Sequence, residues 1–154
     1  NVASWLVLNI TANPTSISNG GNSTVTIDLL HDNTGTYYDP VNGHVPDGTP
    51  ITFNLSNTSL GNLSTTSTTL TNGTAITTFT STSPGAENVT AIIDNQNNST
   101  LITINKLNTT LVVGNVTVQD GQAATVNATL KDENGNPISG QEVSFTVKQQ
   151  TLRV

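Results

Sequence analysis

The sequence contains no cysteine and no methionine. A disulfide scaffold is therefore excluded, and nothing in the chain oxidises easily. Basic residues are almost as scarce, with 4 Lys or Arg against 10 Asp or Glu and a net charge of -6. Binding a phosphate backbone requires clustered cations that displace counterions, so nucleic acid is excluded as a partner. No run of about 18 apolar residues is present, and the opening "NVASWLVLNI" has neither the basic flank nor the length of a signal peptide or a span. Helical spacing is missing too, because the apolar residues recur with period two and seldom at three or four.

What fills the chain instead is 42 Ser or Thr and 21 Asn. Disordered chains are rich in charge and poor in β-branched residues, whereas here Thr, Val and Ile alternate as on a pleated surface with one dry face. Strands are predicted at Leu6 to Ile10, Thr24 to Leu30, Pro50 to Ser56, around Leu63 and Leu70, at Gly73 to Thr80, Asn88 to Ile93 and Leu101 to Ile104. Between them lie "NGGN", "PVNGHVPDG", "TNG", "SPG" and "DNQNN", turn chemistry built on Gly, Pro and Asn. About seven short strands in roughly one hundred residues is the pattern of an all-β, immunoglobulin-like β-sandwich. Its expected inward set is Val25, Ile27, Leu29, Ile51, Phe53, Leu55, Phe79, Val89 and Ala91.

The sequence also repeats itself. "VTIDLLHDN" at Val25 aligns with "VNATLKDEN" at Val126, and "GTPITFNL" at Gly48 aligns with "GQEVSFTV" at Gly140, offsets of 101 and 92. Residues 1–105 are thus expected to form one complete module. Residues 106–154 are expected to form an incomplete second module of the same type with strands A, B and C only, reached through the linker "NKLNTT". Its apolar set is Val126, Ala128, Leu130, Val143, Phe145 and Val147, and the tail "QQTLRV" would start the next strand region. Such a half-module leaves an apolar face and unpaired edges, which invite a strand from elsewhere.

The stretch "GNLSTTSTTLTNGTAITTFTSTSPGAENVTA" resembles the second half of the bacterial Ig-like group 1 repeat of invasins and intimins, and "ENGNPISGQEVSFTV" resembles its first half. The Asn, Thr and Ser wording is similar to that of long adhesin-like surface proteins of methanogenic archaea. The resemblance implies a stalk or adhesive unit outside the cell. The insertion "TGTYYDPVNGHV" departs from it, since a plain spacer does not need that loop.

Twelve N-x-[ST] sequons are present, at Asn9, Asn22, Asn54, Asn57, Asn62, Asn72, Asn88, Asn97, Asn98, Asn108, Asn115 and Asn127. This composition supplies about six by chance, so the excess makes them candidate glycan acceptors, with Asn54, Asn88 and Asn127 on outward positions. Within the inserted loop, Asp32, Asp39 and Asp47, with Asn33 and Asn42, are candidate oxygen ligands for Ca²⁺, although no EF-hand spacing is present. His31 and His44 lack the spacing of a transition-metal pair. Tyr37, Tyr38 and His44 form a candidate ligand or partner loop, and Trp5 with the two Tyr makes a candidate platform for sugar.

Nothing in the sequence assembles a catalytic constellation. There is no Cys nucleophile and no G-x-S-x-G elbow, and Glu87, Glu133 and Glu142 each sit beside a turn or strand start, where a solvated carboxylate is expected. The expectation is an extracellular, cell-surface structural or adhesive repeat module, glycosylated, non-enzymatic and without a cofactor. Its expected partners are copies of itself or neighbouring modules by strand pairing, and surface glycans or receptors. The rival expectations are a filament subunit assembling by strand donation and a carbohydrate-binding module.

Overall fold

The computed structural model describes residues 3–146, and the chain divides into two compact units, Asn1–Lys106 and Leu107–Val154. In the first unit the chain runs through β1 (Leu6–Asn13), β2 (Ser16–Ser18), β3 (Asn22–Asp32), β4 (Pro50–Leu55), β5 (Gly61–Leu63), β6 (Ser67–Thr69), β7 (Thr74–Ser81), β8 (Gly85–Ile93) and β9 (Gln96–Asn105). One sheet has the order β1-β3-β7-β5 and the other β2-β9-β8-β4-β6. This is an immunoglobulin-like sandwich. Alternation of apolar and polar residues gives each sheet one dry face, and the two dry faces close on each other.

The core follows the period-two reading. Val25, Ile27, Phe53, Phe79, Val89, Ala91 and Ile102 are all fully buried, with Ile51 and Leu70 beside them. Leu55 is only half-buried, because the β4–β6 ladder stops at Thr52↔Ser67 and leaves the end of β4 on an open edge. In the β1–β3 pair the register slips between Val7↔His31 and Asn9↔Asp28. Leu8 therefore opposes two residues, Leu29 and Leu30, and this bulge turns both inward.

Expected strand limits shift mainly outward, and β2 lay outside the expectation. It is three residues long and pairs in parallel with β9 through Ser16↔Thr103, Ile17↔Ile104 and Ser18↔Asn105. The first strand thus leaves one sheet and its continuation joins the other. Turn residues behave as their chemistry requires: Asn72 and Gly73 (φ 49° and 71°) form the two-residue turn that opens β7.

In the second unit β10 (Thr110–Val113) pairs antiparallel with β11 (Ala128–Lys131). Residues 141–146, expected as a third strand, carry no strand here, having no neighbouring ladder among the described residues to satisfy their backbone groups. Val126 and Phe145 are exposed, Val143 is half-buried, and Val147 and the tail lie outside the described residues. The repeat itself is plain in geometry. Asp132 accepts from the Asn134 and Asn136 backbone N–H groups at 2.9 and 2.8 Å, as Asp32 does from Thr34 and Thr36 at 2.9 and 3.0 Å. Gly35 and Gly135 share φ values of 86° and 84°. The structural offset at this turn is thus 100, not 101, because the bulge gives the first copy one extra residue before the turn.

Candidate functional site

The inserted loop is built around one buried carboxylate. The Asp32 Oδ1 accepts from the Thr34 hydroxyl at 2.6 Å and from the Thr34 and Thr36 backbone N–H groups. Its Oδ2 accepts from the Tyr38 hydroxyl at 2.9 Å. Gly35 donates back to the Asp32 carbonyl, and Tyr38 N–H donates to the Leu30 carbonyl at 2.7 Å, so 30–38 is a closed hairpin. The Thr34 hydroxyl first, then the backbone N–H groups and Tyr38, hold this carboxyl well below the usual carboxylate range against the opposing effect of burial. Asp132 is lowered for the same reason, chiefly by the Asn136 backbone N–H.

The start of β1 is pinned to the loop. Trp5 N–H donates to the Asn33 side-chain oxygen at 3.1 Å, and Asn33 N–H donates to the Trp5 carbonyl at 3.0 Å. Beyond Tyr38, Asp39 caps a 3-10 turn at Pro40–Asn42. The chain then returns over Gly73, where a Cβ would lie 3.4 Å from that of His44. Between these segments opens a cavity of about 400 Å³ lined by Trp5, Leu6, Leu29, Tyr38, His44 and Val45, among others.

The aromatic residues grouped in the sequence are thereby separated. Tyr38 and Trp5 line the cavity, whereas the Tyr37 ring packs tilted at 54° against the His31 ring, centroids 5.3 Å apart, and His31 also contacts Asp28. The loop carboxylates separate likewise. Asp39 accepts from Val41 N–H at 2.9 Å and holds its own turn, whereas Asp47 accepts from Asn72 N–H at 2.8 Å and holds the turn before β7. Among the described residues no group of three or more His, Asp or Glu comes together.

Of the twelve sequon asparagines, Asn9 is half-buried and the others are exposed. The Asn9 Nδ2 donates to Asp28 at 2.9 Å, and the Asn98 Nδ2 to the Leu8 carbonyl at 2.9 Å. Glu87 reverses its sequence expectation. It is fully buried rather than solvated, and its Oε1 accepts from Ser56 N–H, the Ser56 hydroxyl and Asn57 N–H at 2.6, 2.8 and 3.1 Å. These donors stand in for water at Oε1, while the buried Oε2 has no partner among the described residues. The signal was parity, since Glu87 shares the inward register of Val89 and Ala91.

No family model matches the chain, and no curated protein matches it. Among solved structures it is similar to a glycosyl hydrolase family 2 member from Bacteroides cellulosilyticus, at 16% identity and TM-score 0.54, covering 68% of this chain and 15% of that one. It is also similar to the D00-D0 domain of intimin, at 22% identity and TM-score 0.47 over 67% of this chain, and spans 50% of the length of that structure. The Escherichia coli adhesin FdeC matches at 20% identity and TM-score 0.48, over 90% of this chain and 45% of that one. At these identities the glycosidase likeness speaks for the sandwich fold alone.

Proposed function

We propose that the chain is a structural module of an extracellular surface protein, built to carry tension between its poles and glycosylated on its outer faces. The carrying observation is how its first and last strands are stitched. β1 and β2 run in the same direction as β9, so a pull on residue 5 and a pull on Lys106 slide these strands past each other. Such a pull loads the cross-strand bonds side by side instead of one at a time. The stitches run the length of the pair. Leu8 N–H donates to the Gln96 side chain at 2.9 Å, Gln96 Nε2 donates to the Leu6 carbonyl at 3.0 Å, and Asn98 Nδ2 to the Leu8 carbonyl at 2.9 Å. At the other pole Thr103 N–H donates to the Thr15 carbonyl at 2.8 Å and Asn19 N–H to the Asn105 carbonyl at 2.9 Å.

Single-molecule stretching of the full chain between residues 5 and 106 tests this. Thr103→Pro removes one stitch on the β2 side and is expected to lower the unfolding force well beyond its effect on thermal midpoint, because forced unfolding is governed by the unfolding rate. An unchanged force would remove the proposal. Glycosylation is tested separately by intact mass of natively purified protein, expected to exceed the 16.0 kDa polypeptide. A second reading, assembly by strand addition, draws on the exposed Leu111, Val112 and Val113 of β10. Its test is the oligomeric state in solution, where a strict monomer across concentrations would end it.

A further inference from the structure

We infer that the cavity beside Trp5 is a binding site for the ring of a neutral sugar, independent of the tension-bearing role. Its size lies within the range of small-molecule sites, which are mostly apolar with a few convergent polar groups. Two of its walls are aromatic, Trp5 and Tyr38, about half-exposed at 54% and 42%. A pyranose matches such walls because its C–H face is apolar and flat while its hydroxyls lie around the rim. Polar partners are at hand in Ser4 and in the His44 ring, whose Nδ1 is engaged by the Val45 carbonyl at 2.7 Å and whose other nitrogen is the one left for a ligand.

Charge narrows the ligand class. Residues 1–105 contain no Lys or Arg, whereas Asp28, Asp32, Asp39, Asp47, Glu87 and Asp94 all fall within them. A phosphate, sulfate or uronic or sialic carboxylate would find no fixed cation here. Asp32, the one carboxylate in the wall, is already saturated by four donors, so it draws no cation of its own. Its work is to hold the Tyr38 hydroxyl and so fix the ring. The wall is thus set before any ligand arrives, which lowers the ordering cost of binding.

Trp5 is the only tryptophan in the chain, so intrinsic fluorescence reports directly on the site. The experiment titrates the full chain with neutral methyl glycosides and short neutral oligosaccharides, with sialyllactose and choline as charged probes. A saturable emission change is expected with at least one neutral sugar, half-maximal at about 1 mM for a single ring. By ligand-observed NMR, Trp5→Ala and Tyr38→Ala should each weaken binding tenfold or more while keeping the strand signature in circular dichroism. Tyr37→Ala, outside the cavity, should bind as the parent does. Failure of every neutral sugar to saturate, preference for sialyllactose or choline, or equal loss in Tyr37→Ala would each overturn the inference. None of these outcomes touches the unfolding force.

Discussion

Gly61→Ala is the sharpest test of how the edge strand β5 is held against β7. Gly61 has an ordinary backbone conformation, so the substitution costs nothing through φ. Space alone forbids it: a Cβ there would lie 2.3 Å from the Thr80 carbonyl oxygen and 2.5 Å from the Phe79 ring. Neither neighbour can yield cheaply, since Phe79 is fully buried and Thr80 belongs to the central strand β7. One escape is for β5 to leave β7, forfeiting the Gly61↔Ser81, Asn62↔Thr80 and Leu63↔Phe79 pairing. Two or three backbone bonds at about 1 kcal/mol each set that cost at about 2 to 3 kcal/mol. Displacing the Phe79 ring is no escape by itself, because it leaves the 2.3 Å approach to the Thr80 carbonyl oxygen. Against the cost of lifting β5 stands a gain of about 0.4 to 1 kcal/mol from the stiffer unfolded chain. The net loss is about 1 to 2.5 kcal/mol, and calorimetry on the full chain should show the first unit's midpoint fall by roughly 4 to 20 °C. Gly48→Ala is the control, because a Cβ there meets nothing and only φ +85° opposes it. Its cost should stay near 1 to 2 kcal/mol. A midpoint for Gly61→Ala equal to or above the parent's would refute this account of the β5–β7 contact.

Three further outcomes are expected. Phe53→Ala, at a site with no solvent exposure, should cost about 3 to 5 kcal/mol in denaturant titration, and a cost below 1 would mean the cavity collapses. Glu87→Ala should cost about 2 to 4 kcal/mol, because it strands the Ser56 and Asn57 donors, whereas Glu87→Gln keeps an acceptor and should cost distinctly less; equal losses would mean that packing alone matters. The folded Asp32 carboxyl is lowered, so the unfolded chain takes up its proton first, and the stability it contributes is present above about pH 3.9 and lost as pH falls toward the folded value. Tyr38 ring resonances should therefore hold from pH 7 to 5 and move only in stronger acid, and a transition near pH 6 would contradict the four-donor geometry.

The core was legible because its signal is local. Val25, Ile27, Ile51, Phe53, Phe79, Val89 and Ala91 each announce a face by parity with their neighbours, and parity survives small errors in strand limits. Where parity breaks, the reading slipped. Two adjacent leucines, Leu29 and Leu30, belong to one strand and both point inward, so the ungapped repeat alignment matched Leu29 to Leu130 where the structure matches Leu30. The shared Asp-x-x-Gly spacing of Asp32 to Gly35 and Asp132 to Gly135 would have set the offset correctly, since the turn requires both the carboxylate and the left-handed glycine.

The features on which the proposed roles rest were the least legible, and the reason is physical. β2 has one buried apolar residue, Ile17, and owes its existence to a strand 87 positions later in the chain. Gln96 and Asn98 read as turn filler in "DNQNN", yet their side chains reach the backbone of β1 and tie the ends of the module together. Trp5 and Tyr38 are far apart in sequence and come to line one cavity where Asn33 holds the Trp5 backbone and Asp32 holds the Tyr38 hydroxyl. In each case the side chain is short or polar, its partner is non-local, and no periodic pattern encodes the pair. A chain this poor in charge leaves such amide, hydroxyl and carboxylate bonds as its main polar means of fixing geometry. It follows that the proposed load path and the cavity both rest on Asn, Gln, Thr and Asp residues that composition alone would assign to solvated turns.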